Sequence, residues 1–216
     1  AGITFVLMDM AQAGITTRPI ELISGSSPFC EVFFDGARAR LDDVVCGLGG
    51  GWAVAKALLG YERTMIGQAM GGGVAGAQGD LVAWARAYLD APEGALPDPS
   101  IRAELAALSM RERCFFLTSE RVRASQAAGR GPGAESSILK LVGSELKQWR
   151  HELAMRIAGP QGLGWEGAGF SDGELARTRE WLRSRANTIE GGTSEIQLNV
   201  IARRVLGLPK PSGPKT

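Results

Sequence analysis

The chain opens on short runs of β-branched and apolar residues. Ile3 to Met10 and Gly14 to Ile23 predict two strands joined by a turn at Ala11-Gln12-Ala13-Gly14. Phe29-Cys30-Glu31-Val32-Phe33-Phe34 alternates as a third strand. Asp35-Gly36 is a turn signal, and Ala37 to Val45 supplies a further short strand before Gly49-Gly50-Gly51 closes the segment. Three or four strands are too few to cover a sheet face or to pair both edges. Residues 1–48 therefore predict the closing strands of an antiparallel β-domain that is incomplete in this chain. A start at Ala1, in the middle of the pattern, adds the expectation of a cut chain.

After Trp52 the apolar period lengthens from two to about 3.6. Val54, Leu58, Tyr61 and Met65 share one helical stripe, which continues through Gln68 and Ala77 to Tyr88 with an interruption expected at Gly71-Gly72-Gly73. Ala91 to Pro99 reads as a Pro-rich linker, and Ser100 is the expected cap of a second helix reaching about Ala128. The Gly129 to Gly133 stretch, with Pro132, ends that helix. A third helix, about Glu135 to Ala158, carries Ile138, Leu141, Val142, Leu146 and Trp149 on one side and stops at Gly159-Pro160. Ser171-Asp172-Gly173-Glu174 has the form of a capping box opening a fourth helix. A fifth begins near Thr193 and ends at Gly207, just before Pro209. The expected fold is mainly α, a four- or five-helix bundle over 49–209, preceded by a partial antiparallel β-domain and followed by a flexible tail, 210–216.

Composition narrows the chemistry. Of 216 residues, 44% are hydrophobic and 22% charged, enough for one sizeable core or two small ones, which excludes a disordered tail or a disulfide miniprotein. With 24 basic and 23 acidic side chains the net charge is +1, without the concentrated positive field that a nucleic-acid or anionic-membrane partner requires. His151 is the only histidine, and Cys30, Cys46 and Cys114 lie far apart, so no metal centre and no histidine-based triad is expected. An odd, scattered cysteine set without a signal-like start points to the reducing cytoplasm, and no apolar run is long enough to span a bilayer. Any chemistry must use carboxylates, arginines or a cofactor.

Two places offer that chemistry. Glu62 has Leu58, Leu59, Met65 and Ile66 as its helical neighbours at three and four residues, so it is an acid on an apolar stripe. Burial there raises a carboxyl pKa and makes a usable proton acceptor; the competing reading is an internal ion pair with Arg63 or with an arginine of another helix. The second place is Ile189-Glu190-Gly191-Gly192-Thr193-Ser194-Glu195-Ile196-Gln197, a double glycine that delivers the chain to a helix start. Such a start accepts an anion such as a pyrophosphate, and it is equally the form of an ordinary cap, with Thr193 as N-cap and Glu195 complementing the helix dipole.

Three blocks, in order, carry a resemblance. They are Gly2-Ile3-Thr4-Phe5-Val6-Leu7-Met8-Asp9-Met10 with Gly14 to Ile20 and Phe29 to Asp35, then Gly51-Trp52-Ala53-Val54-Ala55 with Leu58-Leu59-Gly60-Tyr61-Glu62-Arg63, then Thr188 to Gln197 followed by Ile201 to Pro209. Together they resemble the carboxyl-terminal half of an acyl-CoA dehydrogenase, from the closing strands of the middle β-domain through the carboxyl-terminal helical domain. The resemblance implies FAD, an acyl-CoA thioester substrate, α-proton removal by a glutamate, hydride transfer to the flavin and a trans-2-enoyl-CoA product. It also implies an electron-transfer flavoprotein as oxidant and a homo-oligomer, dimer or tetramer, or a heteromeric pair. In many members the base immediately precedes the Gly-Thr of the closing block, which here is Gly191, and Glu190 stands one residue earlier. Other members carry the base in a Glu-Arg pair on the first carboxyl-domain helix, matched by Glu62-Arg63. The resemblance therefore assigns Glu62 as base, Glu190 as the alternative, and Arg63 to the acyl-CoA pocket.

Thr193 and Glu195 match positions that touch FAD in that family. Gly159-Pro160-Gln161-Gly162 resembles the Gly-Gly-Asn-Gly loop that meets the flavin of a neighbouring subunit, and Arg156 stands where that pattern usually has glutamine. No Arg-x-x-Phe-Gly element follows Tyr88. Gly129 to Lys140 instead resembles a bacterial branch whose subunits often pair with a partly degenerate partner and whose substrates include dicarboxylic and steroid side-chain thioesters. The family's amino-terminal helical domain and first half of the β-domain have no counterpart in these residues, so the chain alone is expected not to bind FAD tightly. Two other readings remain beside this one: a non-catalytic supporting subunit of a heteromeric acyl-CoA dehydrogenase, and a helical lipid-binding or scaffold module.

Overall fold

A computed structural model of the chain describes residues 2–74, 78–130, 133 and 135–209, without the side chains of 63–64 and 66–80. It divides into two compact units, Ala1–Glu62 and Arg63–Thr216. The expected tail, 210–216, lies outside the described residues.

In the first unit, β1 (Phe5–Val6) pairs antiparallel with β4 (Val44–Val45), and β2 (Ile15–Ile20) pairs with β3 (Phe29–Phe34) in a register running from Ile15 opposite Phe34 to Ile20 opposite Phe29. Both outer strands are shorter than their hydrophobic runs predict, because side chains claim the backbone. Gln12 donates to the carbonyls of Asp9 and Arg38 and accepts from the Arg38 amide at 2.8 Å, while Asp9 accepts from the Ala11 amide. These turn contacts stop β1, and a 3-10 turn at Leu41–Asp43 leaves only Val44–Val45 for β4. Gly14 must be glycine: its φ is +86°, and a Cβ there would meet the Asp35 carbonyl oxygen at 2.1 Å. The β2–β3 ribbon exposes Phe29, Phe33 and Phe34.

Helix α1 (Gly51–Val74) begins against β1, where the Gly51 amide donates to the Ile3 carbonyl at 2.9 Å. The helix continues through Gly71–Gly73, where the sequence predicts an interruption. Helix propagation tolerates glycine at a cost of about 1 kcal/mol per residue without ending.

The second unit adds α2 (Gln78–Tyr88), α3 (Pro99–Ala127), α4 (Ser136–Ala158), α5 (Asp172–Ser184) and α6 (Ser194–Val200). Asp98, not Ser100, caps α3: its carboxylate accepts from the Ser100 and Ile101 amides at 2.7 and 3.1 Å, with Pro99 in the first turn where its missing N–H costs nothing. The capping box forms as expected, Ser171 Oγ accepting from the Glu174 amide and Glu174 Oε2 accepting from the Ser171 amide. α6 starts at its expected cap but gives way after Val200 to a π-type turn, Ile201–Val205. Helix α4 is the centre, packing on α2, α3, α5 and α6, with Leu81, Leu108, Phe115, Leu146 and Leu153 forming the dry core. Among the described residues no helix is long and apolar enough to cross a membrane.

Candidate functional site

The acid on the apolar stripe is exposed. Glu62 lies on α1 with Leu58 55%, Tyr61 73% and Met65 69% exposed around it. This overturns the burial predicted from its neighbours. Apolar spacing identifies a face that seeks cover, and the described residues of this chain do not cover it. The Arg63 side chain lies outside the described residues, so its expected pocket role and ion pair have no geometry here.

The closing block is a suspended loop. After α5 the chain makes a 3-10 turn, Arg185–Thr188, then passes through Gly191 and Gly192 at φ +64° and +97° to Thr193, whose hydroxyl accepts from the Ile196 amide and caps α6. Helix α4 holds it from below with a polar row spaced at four residues. Lys140, 4% exposed, donates from Nζ to the Asn187 carbonyl at 3.0 Å. Gln148 donates to the Ser184 carbonyl and the Thr188 hydroxyl at 3.0 and 3.1 Å, and Ser144 lies between them, bonded to α4's own carbonyls. Buried Gln197 donates to the carbonyls of both glycines. Burial pushes the Lys140 ammonium pKa down while the charges of Glu190 and Glu195 oppose that shift.

Glu190, the alternative base, is committed to this scaffold. Arg183 donates to it at 2.7 and 3.3 Å and Asn187 Nδ2 at 2.6 Å. Burial pushes its carboxyl up, but these bonds and the charges of Arg183 and Lys147 outweigh it and hold the group below the usual carboxylate range. It is a fixed anion rather than a poised proton acceptor. Glu195, exposed in the first turn of α6, is also lowered, by its own backbone N–H, the Thr193 hydroxyl and the Lys140 charge. Two buried side-chain oxygens of this block, Asn187 Oδ1 and Ser194 Oγ, have no hydrogen-bond partner among the described residues.

The second expected contact turn sits past the far end of α4. Gly159, at φ +56°, ends that helix and opens a 3-10 turn, Gly159–Leu163. Gly162 is buried, its carbonyl accepting from Thr178 Oγ1 at 2.9 Å. Arg156, expected to face a cofactor, pairs with Glu104 of α3 at 2.5 Å, and the other oxygen of Glu104 accepts from Trp149 Nε1. The structure thus brings Glu190, Thr193 and Glu195 together and groups Arg156, Gly159 and Gly162 separately. Lys140 and Gly159 are 19 residues apart along α4, roughly 28 Å at the helical rise. Sequence reasoning missed Lys140, Gln148, Asn187 and Gln197; the spacing of Lys140, Ser144 and Gln148 at four residues was the available signal.

Residues 49–206 match the family model described as acyl-CoA dehydrogenase, C-terminal domain. The chain belongs to the acyl-CoA dehydrogenase family. It is 35% identical over 215 residues to acyl-CoA dehydrogenase IpdE1 of Mycolicibacterium smegmatis, covering 97% of this chain and 50% of that protein. It is 32% identical to acyl-CoA dehydrogenase FadE34 of Mycobacterium tuberculosis, covering 97% of this chain and 27% of that one. The chain therefore spans half or less of the length of these relatives. Among solved structures, the Tcur3481-Tcur3483 steroid ACAD superposes with a TM-score of 0.80 at 24% identity, covering 96% of this chain and 52% of that one. The ChsE4-ChsE5 complex from Mycobacterium tuberculosis superposes at 0.79 and 21%, covering 96% and 53%. At these identities the superpositions establish the fold: the mainly helical bundle, preceded in sequence by a short stretch of strands, is the acyl-CoA dehydrogenase carboxyl-terminal architecture.

Proposed function

We propose that this chain is the carboxyl-terminal part of an enzyme that removes the α- and β-hydrogens of an acyl-CoA thioester, giving a trans-2-enoyl-CoA. The observation that carries this reading is the closing loop, held by side-chain hydrogen bonds from Lys140, Gln148 and Gln197 within a chain that matches the family over 49–206. Glu62 is the base that takes the α-proton, Arg63 shapes the acyl-CoA pocket beside it, and the apolar stripe around Glu62 becomes a dry site once covered. Glu190 stays ionised and holds the loop.

The residues present fit FAD. Two glycines in left-handed conformations leave the turn free of side chains, and the unpartnered Ser194 hydroxyl and Asn187 oxygen supply polar atoms beside it. Thr193 and Glu195 would hold it there, with Gly159 and Gly162 meeting the cofactor of a neighbouring subunit and Arg156 bordering that turn. When bound, FAD would supply the hydride acceptor, with an electron-transfer flavoprotein as the onward oxidant. The roughly 28 Å between the two groups along α4 favours two copies or two different subunits, each contributing one end. That the ChsE4-ChsE5 complex and the Tcur3481-Tcur3483 steroid ACAD each combine two components favours a heteromeric pair, and the latter being a steroid ACAD favours a bulky acyl-CoA.

The test is Glu62→Gln in the complete assembly: turnover with acyl-CoA collapses while flavin absorbance is retained. Turnover equal to that of the unmodified enzyme would remove Glu62 as base and favour a supporting, non-catalytic subunit.

A further inference from the structure

The Gly159–Leu163 turn is gripped from both sides by residues that neither the closing loop nor the proton transfer uses. Tyr88, the last residue of α2, donates its phenol hydrogen to Glu174 Oε1 at the start of α5. The other oxygen of Glu174 accepts from the Ser171 amide at 2.6 Å and the Ser171 hydroxyl at 2.9 Å, and Gln161, inside the turn, is near enough to help lower the same carboxyl. One turn further along α5, Thr178 holds the Gly162 carbonyl, and Gln161 also donates to the Gly169 carbonyl at 2.8 Å.

Tyr88 is itself fixed. Its ring lies 4.4 Å from that of Trp84, whose indole N–H donates to the Ala154 carbonyl of α4 at 3.0 Å, and the Arg177 guanidinium stacks on the opposite partner of this pair, 4.3 Å from the Trp84 ring. A capping box needs only Ser171 and Glu174. The phenol is an additional, charge-assisted bond across 86 residues of chain that joins α2 to the start of α5, the helix whose Thr178 holds the turn, while Trp84 joins α2 to α4.

We propose that Tyr88 and Glu174 are positioning residues that fix the Gly159–Leu163 turn in the shape that receives FAD. This rests on the reading above, in which that turn meets the cofactor. The titration behaviour agrees with a tight pair: the Tyr88 bond and the Ser171 amide hold the Glu174 carboxyl at about 2, and burial with the bond to Glu174 pushes the Tyr88 phenol up to about 12.

Tyr88→Phe and Glu174→Gln, made separately in the FAD-loaded assembly, test it. Phenylalanine keeps the ring beside Trp84, and glutamine keeps the capping box, so the fold is preserved. In both variants amide hydrogen exchange at 159–164 is expected to speed up and the FAD dissociation constant to rise, each about tenfold, while exchange in the middle of α4 is unchanged. Unchanged exchange at 159–164, or acceleration shared equally by α4, overturns the positioning role. Accelerated exchange at the turn with an unchanged FAD dissociation constant leaves the clamp in place but overturns the assignment of this turn to the cofactor.

Discussion

The Lys140 ammonium donates to the main-chain carbonyl of Asn187 across 47 residues of sequence, from the helix that also supplies Leu139, Leu146 and Leu153 to the apolar core. A buried cation is tolerated only where its protons and charge are answered, and here the carbonyl, Glu190 and Glu195 answer them. Lys140→Met removes the donor and the positive charge that Glu190 and Glu195 face beside the double glycine. The expected loss is about 1–3 kcal/mol of stability, read by urea unfolding, with faster amide exchange confined first to residues 185–197. Stability within experimental error of the parent would show that the bond is incidental.

The pair of Glu112 on α3 and Arg150 on α4 makes a different demand. Arg150 Nη2 and Nε reach Glu112 Oε1 at 2.6 and 2.9 Å, with the glutamate only 2% exposed. Glu112→Met removes the carboxylate that answers the largely buried Arg150 guanidinium and is expected to cost about 3–5 kcal/mol. Adding Arg150→Met removes that charge as well and is expected to recover part of the loss. A double variant as unstable as the single one would assign the cost to packing instead.

His151 gives the second unit an acid-sensitive element. Burial, and then the charges of Lys147, Arg177, Arg150 and Arg185, lower its pKa from 6.5 to about 4. Below pH 6.5 the unfolded chain takes up a proton that the folded chain refuses. The stabilisation is complete above that pH and is lost as pH falls toward 4. Between pH 7.5 and pH 5 the parent is expected to lose about 2 kcal/mol from this group, and His151→Gln should flatten that slope. Equal slopes in the two proteins, from urea unfolding followed by tryptophan fluorescence, would dismiss it.

What was legible in the sequence is what local chemistry decides. Ser171 and Glu174 announce the start of α5 because both halves of the capping box lie within one turn, and Gly159 announces the end of α4 because a left-handed residue stops a helix wherever it is. Thr193 was legible as the cap of α6 for the same reason. The short β1 was not, since the residue that ends its pairing is a glutamine whose side chain substitutes for strand backbone at Arg38. Nor was the setting of Glu62, because an apolar stripe records a need for cover without saying which polypeptide meets it. Lys140 with Asn187 and Tyr88 with Glu174 are partners separated by 47 and 86 residues, and only the fold brings them together.

The two adjacent glycines of the closing loop should not respond alike. Gly191, exposed at φ +64°, occupies the left-handed helical region that asparagine visits at modest cost, so Gly191→Asn is expected to lose no more than about 1 kcal/mol. Gly192 is at φ +97°, where L residues are strained, and a Cβ there would stand 2.6 Å from the Gln197 amide nitrogen that holds the loop. Gly192→Ala must therefore displace Gln197 as well as strain the backbone, at an expected cost of about 2–3 kcal/mol concentrated in the loop. Amide exchange across 190–197 separates the cases: near-parent rates for the first variant and strongly accelerated rates for the second. Equal behaviour would mean that Gln197 is not the strut that sets the loop's height above α4, and the side-chain-held loop on which the cofactor reading depends would lose its support.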